Sequence, residues 1–410
     1  MGNLETKLTI LLSSMAEPHP QLSFDDTAKA FKHKSNRELK ETYRLFNLMK
    51  NQSLVSLGSG VGKFAAKLNI GFVNSIIRST IFKQFCGGEN LLDCQKTIDE
   101  LYQKSVLTIL DYGLEGKSSE EDFEHIKSEV VKCAVLAASN DSVPVVVIKM
   151  SALADNELLK NAKIENKIPT EYQAAYASLL ERVDHICKES AHLGVGVFFD
   201  AEESWMQEAI DRIAMQMMLK YNKSKCIVYN TYQMYRHDRL EYLKSNYQQT
   251  QSAGVFLGAK IVRGAYMEKE RNRAEEKGYE SPIQATKADT DRDYNAAITF
   301  CIEHYEHIAS CCATHNLESN YLQARLVTDA NIDPKHSHIN FCQLYGMSDY
   351  ISYNLAEAGY NVAKYVPYGP IKEVIPYLIR RAKENSSVTG EMGRELMYLT
   401  GEMKRRKLEG

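Results

Sequence analysis

Short apolar runs recur through this 410-residue sequence, and nearly every run ends in a side chain that could take part in chemistry. The residues at these ends are Lys149, Asp200, Asn230, Gln233, Arg263, Tyr266, Thr314, His315, Gln343 and Tyr365. One such residue could simply cap the next helix, whereas so many at equivalent places favour a shared polar site. Because the set is rich in hydrogen-bond donors, it is suited to holding an anionic cofactor.

A pair of arginines, Arg380 and Arg381, follows the last apolar run. Arginine presents planar, bidentate donors that fix the orientation of a carboxylate as well as its charge. The alternative is a solvated helix face on which Arg380 pairs with Glu384, four residues later. Composition alone favours the solvated face, so a carboxylate clamp needs support from the rest of the chain.

Several other kinds of site lack their characteristic residues. His315 has no partner at metal-ligand spacing, so we predict no metal site. A G-x-S-x-G turn is absent, and so is any catalytic cysteine context, which disfavours acyl transfer. The segment from Gly58 to Lys63 resembles a phosphate loop, but it is one residue short and Phe64 replaces the hydroxyl residue that would bind Mg²⁺.

The spacing of the apolar runs indicates which elements position these residues. Continuous rather than alternating apolar runs are typical of strands buried on both faces, as in a parallel sheet. The runs cover residues 106–115, 143–153, 194–203, 226–235, 258–266, 307–316, 339–347 and 362–369, and helical stretches between them include 171–190, 202–221, 239–251 and 289–306. About eight repeats predict an α/β fold of the (βα)8 TIM-barrel type, at whose C-terminal face the polar residues would meet. A doubly wound open sheet is the structural alternative.

The same pattern divides the chain into three parts. Residues 1–104 lack β-type runs and are expected to form a helical N-terminal segment. Residues 105–395 are expected to form the barrel, and residues 396–410 a C-terminal helical tail.

Charge and cysteine usage narrow the class of protein. The 50 Lys and Arg residues are balanced by 53 Asp and Glu residues. The protein therefore has no overall positive electrostatic potential that would favour nucleic acid as a partner. Nine cysteines without a C-x-x-C pair are typical of reduced thiols in a reducing compartment. The sequence shows neither a secretory signal nor an apolar run of membrane-spanning length.

The motifs that carry these polar residues resemble those of the proline dehydrogenase family. They are FKQFCGGE (82–89), IKMSAL (148–153), FFDAEESW (198–205), NTYQMY (230–235), KIVRGAYMEKER (260–271), GYESPIQATKADTDRDY (278–294), ATHN (313–316), QLYGMSD (343–349), YVPYG (365–369) and YLIRRAKEN (377–385). The resemblance implies a flavoenzyme, built on a distorted (βα)8 barrel, that oxidises L-proline to Δ1-pyrroline-5-carboxylate. Hydride would pass to N5 of a non-covalent FAD, and the electrons would then pass to a membrane quinone.

The resemblance also implies roles for individual residues. Those implied in catalysis are Lys149, Asp200, Lys260, Arg380 and Arg381. Those implied to hold proline are Lys149, Tyr266, Leu344, Tyr365, Tyr377, Arg380 and Arg381, and those implied to line FAD are Asp200, Asn230, Gln233, Lys260, Arg263, Gly264, Ala265, Thr314 and His315. Lys260 stands where many relatives have Arg, and Asn230 where some have Gln. Both changes keep a donor, so altered rather than lost flavin contacts are expected.

Rival functions remain open at this point. A trans-4-hydroxyproline dehydrogenase on the same scaffold is disfavoured by Tyr365, whose bulky phenol leaves little room for a ring hydroxyl. A non-redox barrel enzyme or lyase would be colourless, whereas a flavoenzyme would be yellow and bleached by proline. A catalytically silent binding protein of this fold would show no proline-dependent reduction of a dye.

The resemblance carries expectations about partners and location as well. The remaining length leaves no room for a second catalytic domain, so the product is expected to pass to a separate pyrroline-5-carboxylate dehydrogenase. The expected location is the cytoplasm, with peripheral association at the inner membrane face, or the mitochondrial matrix for a mature eukaryotic form.

Overall fold

The apolar runs form eight strands in the computed structural model, which describes residues 22–50, 75–114, 118–387 and 391–408. The strands are β1 (Leu107–Tyr112), β2 (Val145–Ile148), β3 (Gly196–Phe199), β4 (Val228–Gln233), β5 (Leu257–Val262), β6 (Ile308–Ala313), β7 (Ile339–Leu344) and β8 (Val362–Tyr368). Each strand pairs in parallel with the next, and β8 pairs with β1, so the sheet closes into a barrel. The predicted (βα)8 architecture is confirmed, and the open sheet is excluded.

Helices separate the strands and cover the outside of the barrel. They are α1 (Thr27–Phe31), α2 (Asn36–Met49), α3 (Lys83–Phe85), α4 (Leu91–Tyr102), α5 (Glu120–Ala138), α6 (Asn156–Asn161), α7 (Thr170–Leu193), α8 (Ser204–Tyr221), α9 (Arg239–Ser252), α10 (Met267–Lys277), α11 (Lys287–Glu303), α12 (Leu317–Asp329), α13 (Asp349–Glu357), α14 (Ile371–Ser387) and α15 (Glu391–Arg405). A π-helical turn (Arg78–Phe82) precedes α3. The four predicted helical stretches correspond to α7, α8, α9 and α11. Among the described helices, none has both the length and the apolar character needed to span a bilayer.

Local signals in the sequence set the ends of these helices. Thr286 and Asp289 form a reciprocal capping box that starts α11. Gly194 ends α7 with φ +72°, a left-handed conformation that glycine adopts without a steric penalty. These helix ends fix where the chain leaves a helix and turns toward the next strand. They therefore set which residue stands at the end of each strand.

The interior of the barrel is apolar up to its C-terminal mouth. Ile109, Val147, Phe198, Cys311 and Cys342 pack there as one buried cluster. All nine cysteines are buried and free, as expected for reduced thiols. The glycine-rich segment from Gly58 to Lys63 lies outside the described residues.

The helices nearest the two ends of the chain pack together beside β8. Helix α15 lies against α1 and α2, and α13 contacts α1. The Tyr398 hydroxyl donates to Asp25 Oδ1 at 2.8 Å, and the Tyr398 ring stacks on Tyr350 with ring centroids 4.1 Å apart. Arg406 donates to the carbonyl of Phe31 at 2.7 Å. The first and last described helices therefore pack as one group against α13.

Candidate active site

Five side chains from different parts of the barrel meet at its C-terminal mouth, and we call them the rim cluster: Asp111, Lys149, Asp200, Lys260 and Tyr365. Lys149 pairs with Asp111 and lies 3.5 Å from Asp200 Oδ2, while Lys260 pairs with Asp200 Oδ1. The Tyr365 hydroxyl donates to Asp200 Oδ2 at 2.7 Å and accepts from Lys149 Nζ at 3.2 Å. Two carboxylates, two ammonium groups and a phenol thus share one network.

Burial and neighbouring charges set the protonation states of the rim cluster. Burial opposes ionisation of Asp200, but the Lys260 and Lys149 ammonium groups outweigh it and hold the pKa of Asp200 below its ordinary value. Burial prevails over Lys149 at Asp111 and raises the pKa of that carboxyl. Burial, with the charges of Asp111 and Asp200, also raises the pKa of Tyr365 well above its ordinary value. Asp200 is therefore the anionic centre of the cluster, and Tyr365 remains a hydrogen-bond donor.

Strand alternation explains why these residues converge. In each of the first three strands an apolar interior residue is followed, two positions later, by a charged residue that lies within the strand or directly after it. The pairs are Ile109 and Asp111, Val147 and Lys149, and Phe198 and Asp200. Side chains two positions apart on a strand point to the same face, so the charged member of each pair lies at the mouth above an apolar layer.

Asp111 belongs to the rim cluster, although it does not follow a strand as Lys149 and Asp200 do. It lies within β1 rather than after it and is only 3% exposed. The signal was present in the sequence, because a carboxylate inside a strand buried on both faces requires a partner. Lys149 provides that partner from the neighbouring strand.

The mouth of the barrel continues at the end of β5 with Arg263, which is held on three sides. Its guanidinium donates to Asp291 Oδ1 at 2.8 Å, to Thr314 Oγ1 at 2.6 Å and to Ser319 Oγ at 3.0 Å. The guanidinium carbon also lies 4.2 Å from the centroid of the Tyr294 ring. Arg263 and Thr314, two residues predicted to line the cofactor, are thus in direct contact.

Gly264 and Ala265 follow Arg263 as an exposed backbone segment. Gly264 has φ +131°, and a Cβ atom there would lie 2.5 Å from the Tyr235 ring. Only glycine fits this position, because any side chain would be strained and would clash. The small residues leave the backbone accessible to a ligand.

His315 lies next to Thr314, just after β6, with its Nδ1 atom 2.9 Å from Ser348 Oγ. Burial lowers the pKa of His315 to about 3, and the charges of Lys364, Arg381 and Arg263 contribute to the shift. The imidazole is therefore neutral at physiological pH. The Arg381 charge is close enough to influence it.

The remaining predicted substrate residues lie on α14, at the end of β7 and at the start of α10. On α14 the Arg381 guanidinium carbon lies 5.3 Å from the centroid of the buried Tyr377 ring, and Arg380 is half-buried. Leu344 packs partly buried against the barrel interior. Tyr266 precedes α10 and is partly exposed.

Asn230 is the predicted site residue that the structure places elsewhere. Its amide donates to Asp211 Oδ1 at 2.8 Å on helix α8, and its carbonyl oxygen accepts from the backbone of Thr231. The interior positions of β4 belong to Tyr229 and its alternate neighbours, so Asn230 points outward to the helical layer. The expectation that Asn230 lines the cofactor is corrected accordingly: it supports the outside of β4.

Comparison with known proteins agrees with the geometry. The family model for proline dehydrogenase matches residues 94–394. Proline dehydrogenase 1, mitochondrial, of Dictyostelium discoideum is 33% identical, over 93% of this chain and 74% of the relative. The chain belongs to the proline dehydrogenase family. A hydroxyproline dehydrogenase of Xenopus laevis is also similar, 30% identical over 96% of this chain and 92% of its own length.

A solved structure supports the proline dehydrogenase fold. The crystal structure of proline utilization A from Bdellovibrio bacteriovorus, inactivated by N-propargylglycine, matches with a TM-score of 0.70 and 19% sequence identity. The match covers 97% of this chain and 41% of that protein. This chain therefore spans about two fifths of the matched structure, and at this identity the likeness establishes the fold.

Proline dehydrogenases are flavoenzymes in general, and the described residues fit a flavin. Gln233 is buried, donates to the carbonyl of Glu202 at 3.1 Å and leaves its own Oε1 atom without a hydrogen-bond partner in the described part of the chain. A buried acceptor of this kind is compatible with a donor from a bound group such as a flavin. Within the same described ranges no group of three metal-ligating side chains occurs.

Proposed function

We propose that this protein oxidises L-proline to Δ1-pyrroline-5-carboxylate with a non-covalently bound FAD. The observation that carries the proposal is the rim cluster, in which two lysines are held at the mouth of a proline dehydrogenase barrel by the buried carboxylates Asp111 and Asp200. Such a site holds positive charge in fixed positions with little exposure to solvent, which suits the orientation of a small anionic substrate.

The residues that would hold the flavin are those that surround the mouth. They are Asp200, Gln233, Lys260, Arg263, Gly264, Ala265, Thr314 and His315. The bound FAD supplies the hydride acceptor at N5. Lys260 places a positive charge where the cofactor gains electrons, and its pairing with Asp200 fixes the position of its ammonium group.

Proline would be oriented by its carboxylate. Arg380 and Arg381 form the clamp, with Lys149 as a third cation, while Tyr266, Leu344, Tyr365 and Tyr377 form the walls around the ring. Bidentate arginine contacts fix direction as well as charge. Burial next to these cations also lowers the pKa of the proline amine, which must be neutral to release hydride.

The electrons are proposed to leave for a membrane quinone, through peripheral association with the membrane. The product is proposed to pass to a separate pyrroline-5-carboxylate dehydrogenase. Relatives named as mitochondrial support a mitochondrial location, with the cytoplasm as the alternative.

Anaerobic titration of the purified holoprotein with proline, followed by the visible flavin spectrum, tests cofactor, substrate and reaction together. We expect a yellow protein that proline bleaches and that a soluble quinone analogue re-oxidises. A protein that stays colourless after addition of FAD would favour a non-redox barrel enzyme. A flavin that stays oxidised in the presence of proline would favour a binding protein.

The clamp is tested separately with Arg380→Met. The variant should keep FAD and raise KM for proline at least tenfold, because the carboxylate loses a bidentate partner. Arg325→Met, on α12, is the control. Unchanged proline affinity in Arg380→Met would show that the clamp is assigned to the wrong residue.

A second candidate function, oxidation of trans-4-hydroxyproline, is favoured by the similarity to the Xenopus laevis hydroxyproline dehydrogenase. Tyr365 argues for proline, because its hydroxyl is engaged by Asp200 and Lys149 and its ring is held beneath Lys260, 5.1 Å from the ring centroid. A phenol fixed in this way cannot move aside for a ring substituent. Comparison of kcat/KM for the two substrates decides between them, and equal values would contradict the preference for proline.

A further inference from the structure

A hydrogen-bonded chain runs from the last helix of the protein to His315. The backbone N–H of Ser348 donates to Glu395 Oε2 on α15 at 3.0 Å. The Ser348 hydroxyl is in turn 2.9 Å from His315 Nδ1. One buried serine therefore links a residue beyond the barrel to the imidazole at the end of β6.

Ser348 adopts a conformation that needs external support. Its φ of 51° and ψ of 44° lie in the left-handed region, which non-glycine residues rarely occupy. Glu395 holds its N–H, and Ser352 N and Ile351 N donate to its carbonyl. The adjacent carbonyl of Met347 accepts from Lys364. These contacts keep the Ser348 hydroxyl aimed at His315.

Glu395 is itself enclosed by charged groups and is only 5% exposed. Asp349, Lys364 and Lys34 face it from α13, β8 and the segment before α2. Burial and then the charge of Asp349 raise the pKa of Glu395 to about 8, against the opposite effects of the Ser348 N–H and the two lysines. The side chain is thus largely protonated at neutral pH, and its acceptor oxygen remains available to Ser348.

We propose that Glu395 is a positioning residue for the flavin pocket, acting through Ser348 to fix the orientation of the His315 ring. With Nδ1 committed to Ser348, Nε2 is the ring nitrogen left for the cofactor. The inference rests on the proposed function for the identity of the ligand. The link between Glu395 and the imidazole is independent of that identity.

The test compares Glu395→Ala, which removes the acceptor, with Glu395→Gln, which keeps an acceptor oxygen. Met397→Ala, on the same helix and at a residue 56% exposed, is the matched control. Two properties are measured: the ¹⁵N signals of the His315 imidazole in the protein before FAD is added, assigned with His315→Gln, and the dissociation constant for FAD. We expect Glu395→Ala to shift the His315 signals and to weaken FAD binding at least tenfold, while the other two variants match the wild type.

Ser348→Gly covers the case in which Glu395→Ala does not fold. Glycine suits the left-handed conformation, so the fold is kept, but the hydroxyl is lost and the His315 signals must shift. Unchanged signals in Ser348→Gly, or a Glu395→Gln variant as impaired as Glu395→Ala, would overturn the proposal. A wild-type protein that binds no FAD would instead refute the proposed function, and the imidazole signals would still decide the positioning role.

Discussion

Two buried charge clusters lie back to back across strand β8. The rim cluster is inside the barrel, and the second, which we call the outer cluster, lies beneath the terminal helices and consists of Lys34, Asp349, Lys364 and Glu395. Lys364 and Tyr365 are consecutive residues of β8, so alternation sends one to each cluster. Both clusters join lysines to carboxyl groups, but they differ in whether a ligand can reach them.

The difference lies in access. The Asp200 side chain retains 14% exposure at the barrel mouth, whereas the central outer pair, Lys364 and Asp349, retains 1% and 7%, and Lys34 at 17% lies at the edge of the outer cluster. Charges at the mouth can exchange a protein partner for a ligand, while charges under the helices hold the fold and can act on a ligand only through residues that they position. Substitutions in the rim cluster should therefore reduce activity directly, and those in the outer cluster should mainly reduce stability, with Glu395 also acting on His315 through Ser348.

The largest effect is expected from Lys364→Met in the outer cluster. The substitution leaves Asp349, which lies 3.0 Å from Lys364 Nζ, as a buried carboxylate with reduced compensation. Removal of one partner from a buried ion pair typically costs about 3–5 kcal/mol in unfolding free energy. Chemical denaturation measures it, with Lys244→Met on α9, an exposed pair with Glu241, as the control. A loss as small as that of the control would contradict the structural role of the outer cluster.

Asp200→Asn comes next and tests the rim cluster. It removes the anion that pairs with Lys260 and accepts from Tyr365, so both would lose their fixed positions. We expect kcat/KM for proline to fall by about 10²-fold, the scale of losing one preorganised electrostatic contact. Asp184→Asn, which alters a carboxylate paired with Lys220 on the outer helices, should leave kcat/KM unchanged. A comparable loss in both variants would remove the distinction between the two regions.

Tyr365→Phe tests the rim cluster by removing a single hydroxyl group. The ring remains, but Asp200 loses a 2.7 Å hydrogen bond. A bond to a charged group contributes about 1.5 kcal/mol, so kcat/KM should fall roughly tenfold. Tyr232→Phe is the control, since its hydroxyl accepts from Asn246 at 2.9 Å outside the barrel interior. That variant should lose stability without losing activity, and the reverse result would contradict the assignment of Tyr365 to the site.

The apolar runs predicted the barrel, and the polar residues that end them pointed to Lys149 and Asp200, whereas the role of Lys260 was implied by the family resemblance. Apolar runs mark the strands, and a polar residue at the end of a run marks the mouth. The outward direction of Asn230 was missed because it depends on strand register, which sets whether a polar residue faces the barrel or the helices. Asp111 was missed because it lies inside its run, and Glu395 because its partner Ser348 is 47 residues away in the sequence.

The effect that is smallest for a single pH unit concerns the ionisation of Glu395 in the outer cluster. Glu395 has a pKa of about 8 in the fold against an ordinary value of 4.5, so the folded state binds its proton more tightly than the unfolded state does. Stability is therefore highest below about pH 4.5 on account of this group, and it is lost as pH rises toward 8, by at most about 1.4 kcal/mol per pH unit. Glu395→Gln cannot ionise and should lack this loss, whereas Glu241→Gln on the exposed face of α9 should keep it. Unfolding free energies measured from pH 5 to pH 8 check the difference. Parallel slopes for wild type and Glu395→Gln would mean that Glu395 is solvated, and the terminal helices would then not seal the outer cluster.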